Sequence, residues 1–149
     1  MNEKWVVPCN LKHFNVEEHF ASNREVVWSN SFTMKTGDTA YIYVASPESA
    51  IRYRCKVIAD TVDEQRLLEN SYAIPKHESH NYFVRKNKYV ILKLDRIYPK
   101  GFLSLTKLRA HGLGQVQMQA RASKDLNQFL TEVDQYIDTK KGNGREKNA

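Results

Sequence analysis

The chain has 149 residues, of which 41% are hydrophobic and 27% are charged, a composition typical of one soluble globular domain with a real core. No apolar run approaches the roughly 20 residues that a transmembrane helix needs, and no signal-peptide pattern opens the sequence. We therefore expect a cytoplasmic protein that does not contact a membrane. The net charge of +6 is compatible with nucleic-acid binding, but half of that excess lies in the last ten residues.

The N-terminal part of the chain predicts two strands with a short helix between them. Residues 4–8 read as a first strand, because apolar and β-branched residues follow one another there. Asn15 followed by Glu18 is a helix N-cap pattern, which predicts a helix to about Phe20. Val26 and Val27 then lead as a short strand into Trp28, and three small polar residues follow that aromatic residue.

A hairpin forms the centre of the predicted fold. A turn at Gly37-Asp38 precedes a strand from Thr39 to Ala45, and residues 46–49 separate it from a second strand from Ala50 to Ala59. The second strand alternates, which predicts one face in the core and one basic face in water. The core face comprises Ile51, Tyr53, Cys55 and Val57, and the basic face comprises Arg52, Arg54 and Lys56.

The C-terminal half predicts one more long strand and two helices. Residues 63–70 favour a short helix, residues 72–88 form a connection, and Tyr89 to Tyr98 is a strand. Ser104 and Ser123 are N-caps, and the second of these helices buries Leu126, Phe129, Leu130 and Val133. We predict one α+β domain over residues 1–139, with a mostly antiparallel, partly closed barrel, and a disordered basic tail over residues 140–149.

The sequence offers no positive case for catalysis, a cofactor or a metal. It has no phosphate loop, GxGxxG motif or nucleophile elbow. His77 and His80 have a ligand-like spacing, but a polar loop without a cysteine partner favours a solvated loop over a metal site. Cys9 and Cys55 are the only two cysteines, and the sequence leaves their pairing open.

Aromatic residues next to small polar ones predict a site for a flat aromatic ligand. Trp28 precedes Ser29, Asn30 and Ser31, and Asn10 ends the first strand. A flipped nucleobase needs aromatic walls for its faces and amide or hydroxyl groups for its edge. Two interpretations of Trp28 stay open, a pocket wall and a core residue.

The order of these features resembles the EVE domain, a member of the PUA-like superfamily. The resemblance rests on Trp5 in the first strand, on Trp28 with its polar neighbours and on Gly37-Asp38 before a tyrosine-rich strand. It continues in residues 119–123, a Gln-Ala-Arg-Ala-Ser run before a terminal helix. It implies a PUA-like pseudo-barrel with short flanking helices and a C-terminal helix. It also implies a pocket for a modified base, such as methylcytosine, that is flipped out of DNA. By position, the resemblance places in this pocket Asn10, Trp28, Ser29, Asn30, Ser31, Gln119, Arg121 and Ser123.

The resemblance implies a non-catalytic reader of modified DNA, similar to modules of bacterial modification-dependent restriction systems with a partner nuclease. Two alternatives remain. One is an RNA-binding module of the PUA or YTH kind. The other is an ASCH-like hydrolase of a modified nucleoside, although the Gly-x-Lys-x-x-Glu motif of ASCH domains is not found here.

Overall fold

The computed structural model describes residues 2–30, 33–62 and 89–148, with side chains as far as residue 140. These residues form an α+β fold, as predicted. The elements are β1 (Lys4–Cys9), α1 (Val16–Ser22), β2 (Glu25–Ser29), β3 (Thr39–Val44), β4 (Ala50–Ala59), β5 (Tyr89–Ile97), β6 (Leu103–Ser104), α2 (Leu105–Ala110), β7 (Ala120–Arg121) and α3 (Lys124–Asn148).

Seven strands form one sheet with the order β2-β5-β4-β3-β1-β7, and β6 pairs with β4. The predicted hairpin is confirmed, since β3 and β4 pair antiparallel. β1 and β3 pair in parallel, which the sequence analysis did not predict. Asn30 follows β2 and Gln119 precedes β7, and their side chains are hydrogen-bonded, so the two end strands of the sheet are drawn together. This curvature is what a pseudo-barrel requires.

The curved sheet separates two hydrophobic clusters. The inner cluster fills the barrel with residues from β1 to β5, among them Trp5, Trp28 and Tyr53. The outer cluster packs β1, β3 and β4 against α2 and α3, through side chains such as Tyr41 and Leu126. The two faces of the sheet are therefore both occupied, one by the barrel interior and one by helices.

The predicted alternation of β4 is wrong at Ile51 and at Arg52, whose side chain is buried and not in water. Tyr53, Cys55 and Val57 point into the barrel, but Ile51 belongs to the outer cluster. The reason is an irregularity in the β3–β4 ladder, where Ile42 pairs with Tyr53 and the next residue of β3 pairs with Ile51. An extra residue of this kind inverts the faces on its two sides.

The structure confirms the three helix N-caps that the sequence predicted. Asn15 Oδ1 accepts a hydrogen bond from Glu18 N at 3.1 Å, Ser104 Oγ accepts one from Lys107 N at 3.4 Å, and Ser123 Oγ accepts one from Leu126 N at 3.2 Å. In the last helix the side chains of Leu126 and Leu130 are buried, whereas Phe129 and Val133 are partly buried.

The backbone of α3 is helical to Asn148, through most of the tail that the composition predicted to be disordered. Disorder of residues 140–149 in solution, and the domain boundary at residue 139, stay predictions. The helix predicted over residues 63–70 and the connection over residues 72–88 lie outside the described residues. In the part of the chain that the structure describes, no helix has the length and hydrophobicity to cross a bilayer. Cys9 and Cys55 are both free and buried.

Candidate functional site

The structure brings the predicted site residues Asn30 and Gln119 into direct contact. Both side chains are buried, and Gln119 Nε2 donates to Asn30 Oδ1 at 3.2 Å. The same oxygen accepts from Met34 N at 3.2 Å, and Asn30 Nδ2 donates to Met34 O at 3.2 Å. This amide pair joins the two ends of the sheet and organises the turn after β2. Its hydrogen bonds are directed to the protein itself.

Trp28 is a core residue in this structure. Its side chain is 7% exposed and belongs to the inner cluster. Its ring meets the ring of Phe14 edge-on, with centroids 5.8 Å apart. That burial corresponds to the core interpretation of Trp28 and not to an open pocket wall.

The other polar residues near the strand ends have local or peripheral roles. Asn10 is exposed, and its Oδ1 accepts from Lys12 N at 2.9 Å. Its carbonyl oxygen accepts from His13 N and Phe14 N at 2.9 and 3.1 Å, so Asn10 organises the turn that leads into α1. Ser29 is half-buried at the end of β2. Ser31 lies outside the described residues.

Arg121 and Ser123 lie on the surface at β7 and the start of α3. The Arg121 guanidinium stacks over the Trp5 ring at 5.0 Å and is 3.8 Å from a carboxylate oxygen of Glu3. More than half of its side chain is exposed, so the guanidinium has access to a ligand. Ser123 acts as the helix cap already described, which was the alternative interpretation of this residue.

A cleft of about 450 Å³ lies beside α1 and is a concave site that the sequence analysis missed. Its volume falls in the range of about 300–1,000 Å³ that is typical of small-molecule sites. The cleft is lined by His13, Phe14, Asn15, Glu18, His19, Ser22 and Asn23. Asn15 was recognised in the sequence only as a helix cap, and a lone Phe14 in a loop carries no signal of its own.

Aromatic rings form one wall of this cleft. Phe14 is packed from behind by Trp28, and its ring centroid lies 5.5 Å from that of His19 at an interplanar angle of 56°. His19 is buried and its Nε2 lies 2.7 Å from Glu25 O, which fixes the imidazole. The wall is thus held by two neighbours and by the backbone of β2.

Polar groups of the cleft lie on α1 and its two caps. Asn15 Nδ2 donates to Glu18 Oε2 at 3.5 Å, and Asn23 Nδ2 donates to His19 O at 3.0 Å. The described contacts use one donor of each amide and also the Asn15 oxygen that caps α1, so each amide offers a further donor and Asn23 offers its acceptor oxygen. The cleft therefore combines an aromatic face with donors and acceptors, which suits a planar ligand with a polar edge.

The buried cysteine nearest to the cleft is not activated as a nucleophile. Cys9 Sγ donates to Phe14 O at 3.5 Å, and burial raises the pKa of this thiol to about 12. A reactive cysteine requires a lowered pKa. No group of three or more His, Cys, Asp or Glu side chains placed to hold a metal ion occurs among residues 2–30, 33–62 and 89–140.

A buried polar cluster under α3 was also missed in the sequence. Asp134 accepts hydrogen bonds from Tyr41 OH at 3.1 Å and from Tyr98 OH, and it pairs with Arg54 at 2.9 Å and with Arg96 at 3.3 Å. Burial raises the pKa of both tyrosines, and the nearby Asp134 carboxylate raises it further. The cluster therefore holds neutral phenols and fastens α3 to the sheet.

Comparison with solved structures identifies the architecture. The ASCH protein from Zymomonas mobilis matches with a TM-score of 0.59, over 87% of this chain and 94% of its own, at 13% sequence identity. A hypothetical protein from Leishmania major matches with a TM-score of 0.62, over 93% and 98% of the two chains, at 14% identity. A protein from Pseudomonas putida matches with a TM-score of 0.57, over 87% and 97% of the chains, at 13% identity.

The fold is PUA-like. The ASCH and EVE domains share this fold, so the neighbours confirm the fold that the resemblance implied. The neighbour from Zymomonas mobilis is an ASCH protein and not an EVE domain. No protein-family model matches the chain, and no curated protein matches it. At 11–14% identity the neighbours show the PUA-like architecture alone.

Proposed function

We propose that this protein is a non-catalytic nucleic-acid-binding module that takes a single modified base, flipped out of DNA, into the cleft beside α1. The observation that carries the proposal is the aromatic wall of that cleft. Phe14 is braced by Trp28 and His19, and a braced ring offers a preorganised stacking surface. Stacking on an aromatic side chain contributes about 1–3 kcal/mol per base.

The polar lining supports the same proposal. Asn15 and Asn23 stand at the two ends of α1 and could bond the edge of a base from opposite sides. Lys12 and Arg24 are the sequence neighbours of the lining residues His13 and Asn23, so cations stand next to the cleft where a phosphate would enter. In this arrangement Trp28 supports the wall and does not touch the base.

The choice of a modified DNA base rests on the resemblance to EVE domains and on the PUA-like fold. A modification-dependent nuclease is the partner proposed for such a reader. RNA binding and hydrolysis of a modified nucleoside are outcomes that the same experiment distinguishes. Methylated, hydroxymethylated and unmodified DNA are titrated beside RNA of the same sequence, and the incubated oligonucleotides are then analysed for products. Preference for a modified DNA without turnover supports the proposal, whereas equal affinity for all oligonucleotides, preference for RNA or product formation contradicts it.

Phe14→Ala tests the aromatic wall. Loss of one stacking face should cost about 1–3 kcal/mol, which is about 5- to 150-fold in Kd for the preferred oligonucleotide. Fluorescence anisotropy measures the affinity, and circular dichroism confirms that the variant is folded.

Phe20→Ala is the matched control for that change. Phe20 lies on α1 and packs on Tyr53 at a centroid distance of 5.0 Å, but it does not line the cleft. It should lower stability without weakening binding by the folded protein. Equal losses of affinity in the two variants, or none in Phe14→Ala, would place the base elsewhere.

A further inference from the structure

Three lysines lie in one lateral row across the sheet. Lys93 of β5 pairs directly with Lys56 of β4, Lys56 pairs with Thr39 of β3, and Thr39 pairs with Lys4 of β1. Directly paired residues of neighbouring strands point to the same face, and strands lie about 4.8 Å apart. The three ammonium groups therefore follow one another on the outer face of the barrel. We call Lys4, Lys56 and Lys93 the lysine row.

Lys56 and Lys93, two members of the lysine row, are exposed. The ion pairs found among residues 2–30, 33–62 and 89–140 include neither of them. Like charges placed opposite each other destabilise a sheet. Lys56 Nζ donates to Thr39 Oγ1 at 3.2 Å, a contact toward the β3 side of the row.

Two acids near the lysine row, Asp95 and Asp134, are paired with arginines. Asp95 binds Arg54 at 2.7 Å, and Asp134 binds both Arg54 and Arg96. Glu25 stands at the β2 end of the row, where it pairs across strands with Lys93.

The third member of the row, Lys4, is held by α3. Its Nζ donates to Thr131 Oγ1, which ties the start of β1 to that helix. Burial lowers the pKa of Lys4, the Asp134 carboxylate opposes this, and the charges of Arg54 and Lys56 lower it further. Positive charge is therefore concentrated along this part of the sheet.

A short stretch of chain connects the cleft beside α1 to the β2 end of the lysine row. Asn23 lines the cleft, and Glu25 at the end of the row follows two residues later. Arg24 lies between them and is fixed to β5, because Leu94 N donates to Arg24 O at 2.7 Å and Arg24 Nη2 donates to Leu94 O at 3.1 Å. A chain that leaves the cleft at Asn23 would meet Arg24 and then Lys93.

We propose that the lysine row binds the phosphodiester backbone of the nucleic acid whose base enters the cleft beside α1. This inference rests on the proposed function and adds to it a backbone path across β5, β4, β3 and β1. Charge complementarity selects the occupant, since a row of ammonium groups suits a chain of phosphates. DNA and RNA both have a phosphodiester backbone. Parallel titrations with DNA and RNA show which of the two nucleic acids the lysine row binds.

The salt dependence of binding tests the lysine row. Each phosphate neutralised by a lysine contributes about 0.7 for a single strand, or about 0.9 for a duplex, to the slope of log Kd against log salt. Lys56→Gln and Lys93→Gln should each reduce the slope by about that amount, measured by anisotropy between about 50 and 200 mM salt. The double variant should lose both contributions.

Lys100→Gln is the matched control, because Lys100 is an exposed lysine in the turn after β5. Its slope should equal that of the wild type. An unchanged slope in the Lys56 and Lys93 variants, with Phe14→Ala still weakening binding, overturns the lysine row and leaves the proposed function intact. A reduced slope in proteins without any preference for a modified base supports the lysine row and overturns base reading. A wild-type protein that binds no oligonucleotide overturns both.

Discussion

The side chain of Trp28 decides how the segment after β2 is interpreted. Its 7% exposure and its edge contact with Phe14 make it part of the barrel core. Trp28→Ala should therefore lower the free energy of unfolding by about 3–5 kcal/mol, because the cavity cannot close around a rigid barrel. Urea denaturation measures this change, and Trp28→Phe, which keeps most of the volume, is the control.

A folded Trp28→Ala protein with nearly wild-type stability and weakened oligonucleotide binding would contradict this assignment. That result would support the interpretation of Trp28 as a pocket wall. If Trp28 is mainly structural, the protein that remains folded should bind the preferred oligonucleotide with its affinity retained. Any loss of affinity should arise only from a changed position of Phe14.

Asn30 and Gln119 show what a sequence reveals about single residues. Asn30 was predicted as a site residue because it follows Trp28, Gln119 because of the resemblance to EVE domains, and the structure buries both. Their contact joins positions 89 residues apart, and no local pattern indicates such a partner. The sequence could therefore indicate that these two amide side chains have a special role, but not that they form a hydrogen bond with each other. The same limit concealed the cleft beside α1, whose wall depends on the contact between Phe14 and Trp28.

At the scale of elements, local patterns predicted caps and strands well. Asn15, Ser104 and Ser123 cap helices because their side chains meet backbone donors within three residues. Alternation failed in β4, where the bulge moves Ile51 to the outer face. The predicted basic face of β4 is also not simply solvated, because α3 brings Asp134 to Arg54.

Asp134→Asn tests how α3 is fastened to the sheet. The carboxylate accepts hydrogen bonds from two tyrosines and pairs with two arginines, and removing one partner of a buried ion pair costs about 3–5 kcal/mol. Thermal and urea denaturation should show a loss approaching that size. Asp125→Asn, the same change at an exposed position in the first turn of α3, should cost less than about 1 kcal/mol. Similar losses in both variants would mean that the Asp134 cluster contributes little.

At the scale of the whole molecule, the α+β class and the barrel were predictable, but the path of the chain was not. Hairpin pairing of β3 with β4 follows from a short connection, whereas the parallel pairing of β1 with β3 spans α1 and β2. The near-closure of the sheet depends on the contact of its end segments. Resemblance to a PUA-like domain implied the pseudo-barrel, but neither the resemblance nor the periodicity of the residues predicted the parallel pairing of β1 with β3.

The barrel and its outer layer bury several acidic groups in their neutral form, and this predicts a loss of stability at alkaline pH. Burial raises the pKa of Cys9 to about 12, and it also raises the pKa values of Cys55, Tyr41 and Tyr98. In the unfolded chain the thiols ionise near pH 8.5 and the phenols near pH 10. Above about pH 8.5 the unfolded state therefore binds fewer protons than the folded state, so the free energy of unfolding falls as the pH rises.

The cysteines provide the sharpest measurement of this effect. From about pH 8.5 to 10 each buried thiol should contribute a slope approaching about 1.4 kcal/mol per pH unit, before the tyrosines add theirs. Lys4 acts in the opposite direction, because burial lowers its pKa and a rising pH then favours the folded state. Urea denaturation over this range should show a steeper loss in the wild type than in the Cys9→Ala, Cys55→Ala double variant. The slope is the measured quantity, so the lower starting stability of the double variant does not affect the comparison. Equal slopes in the two proteins would show that the thiols ionise as readily in the folded barrel as in the unfolded chain.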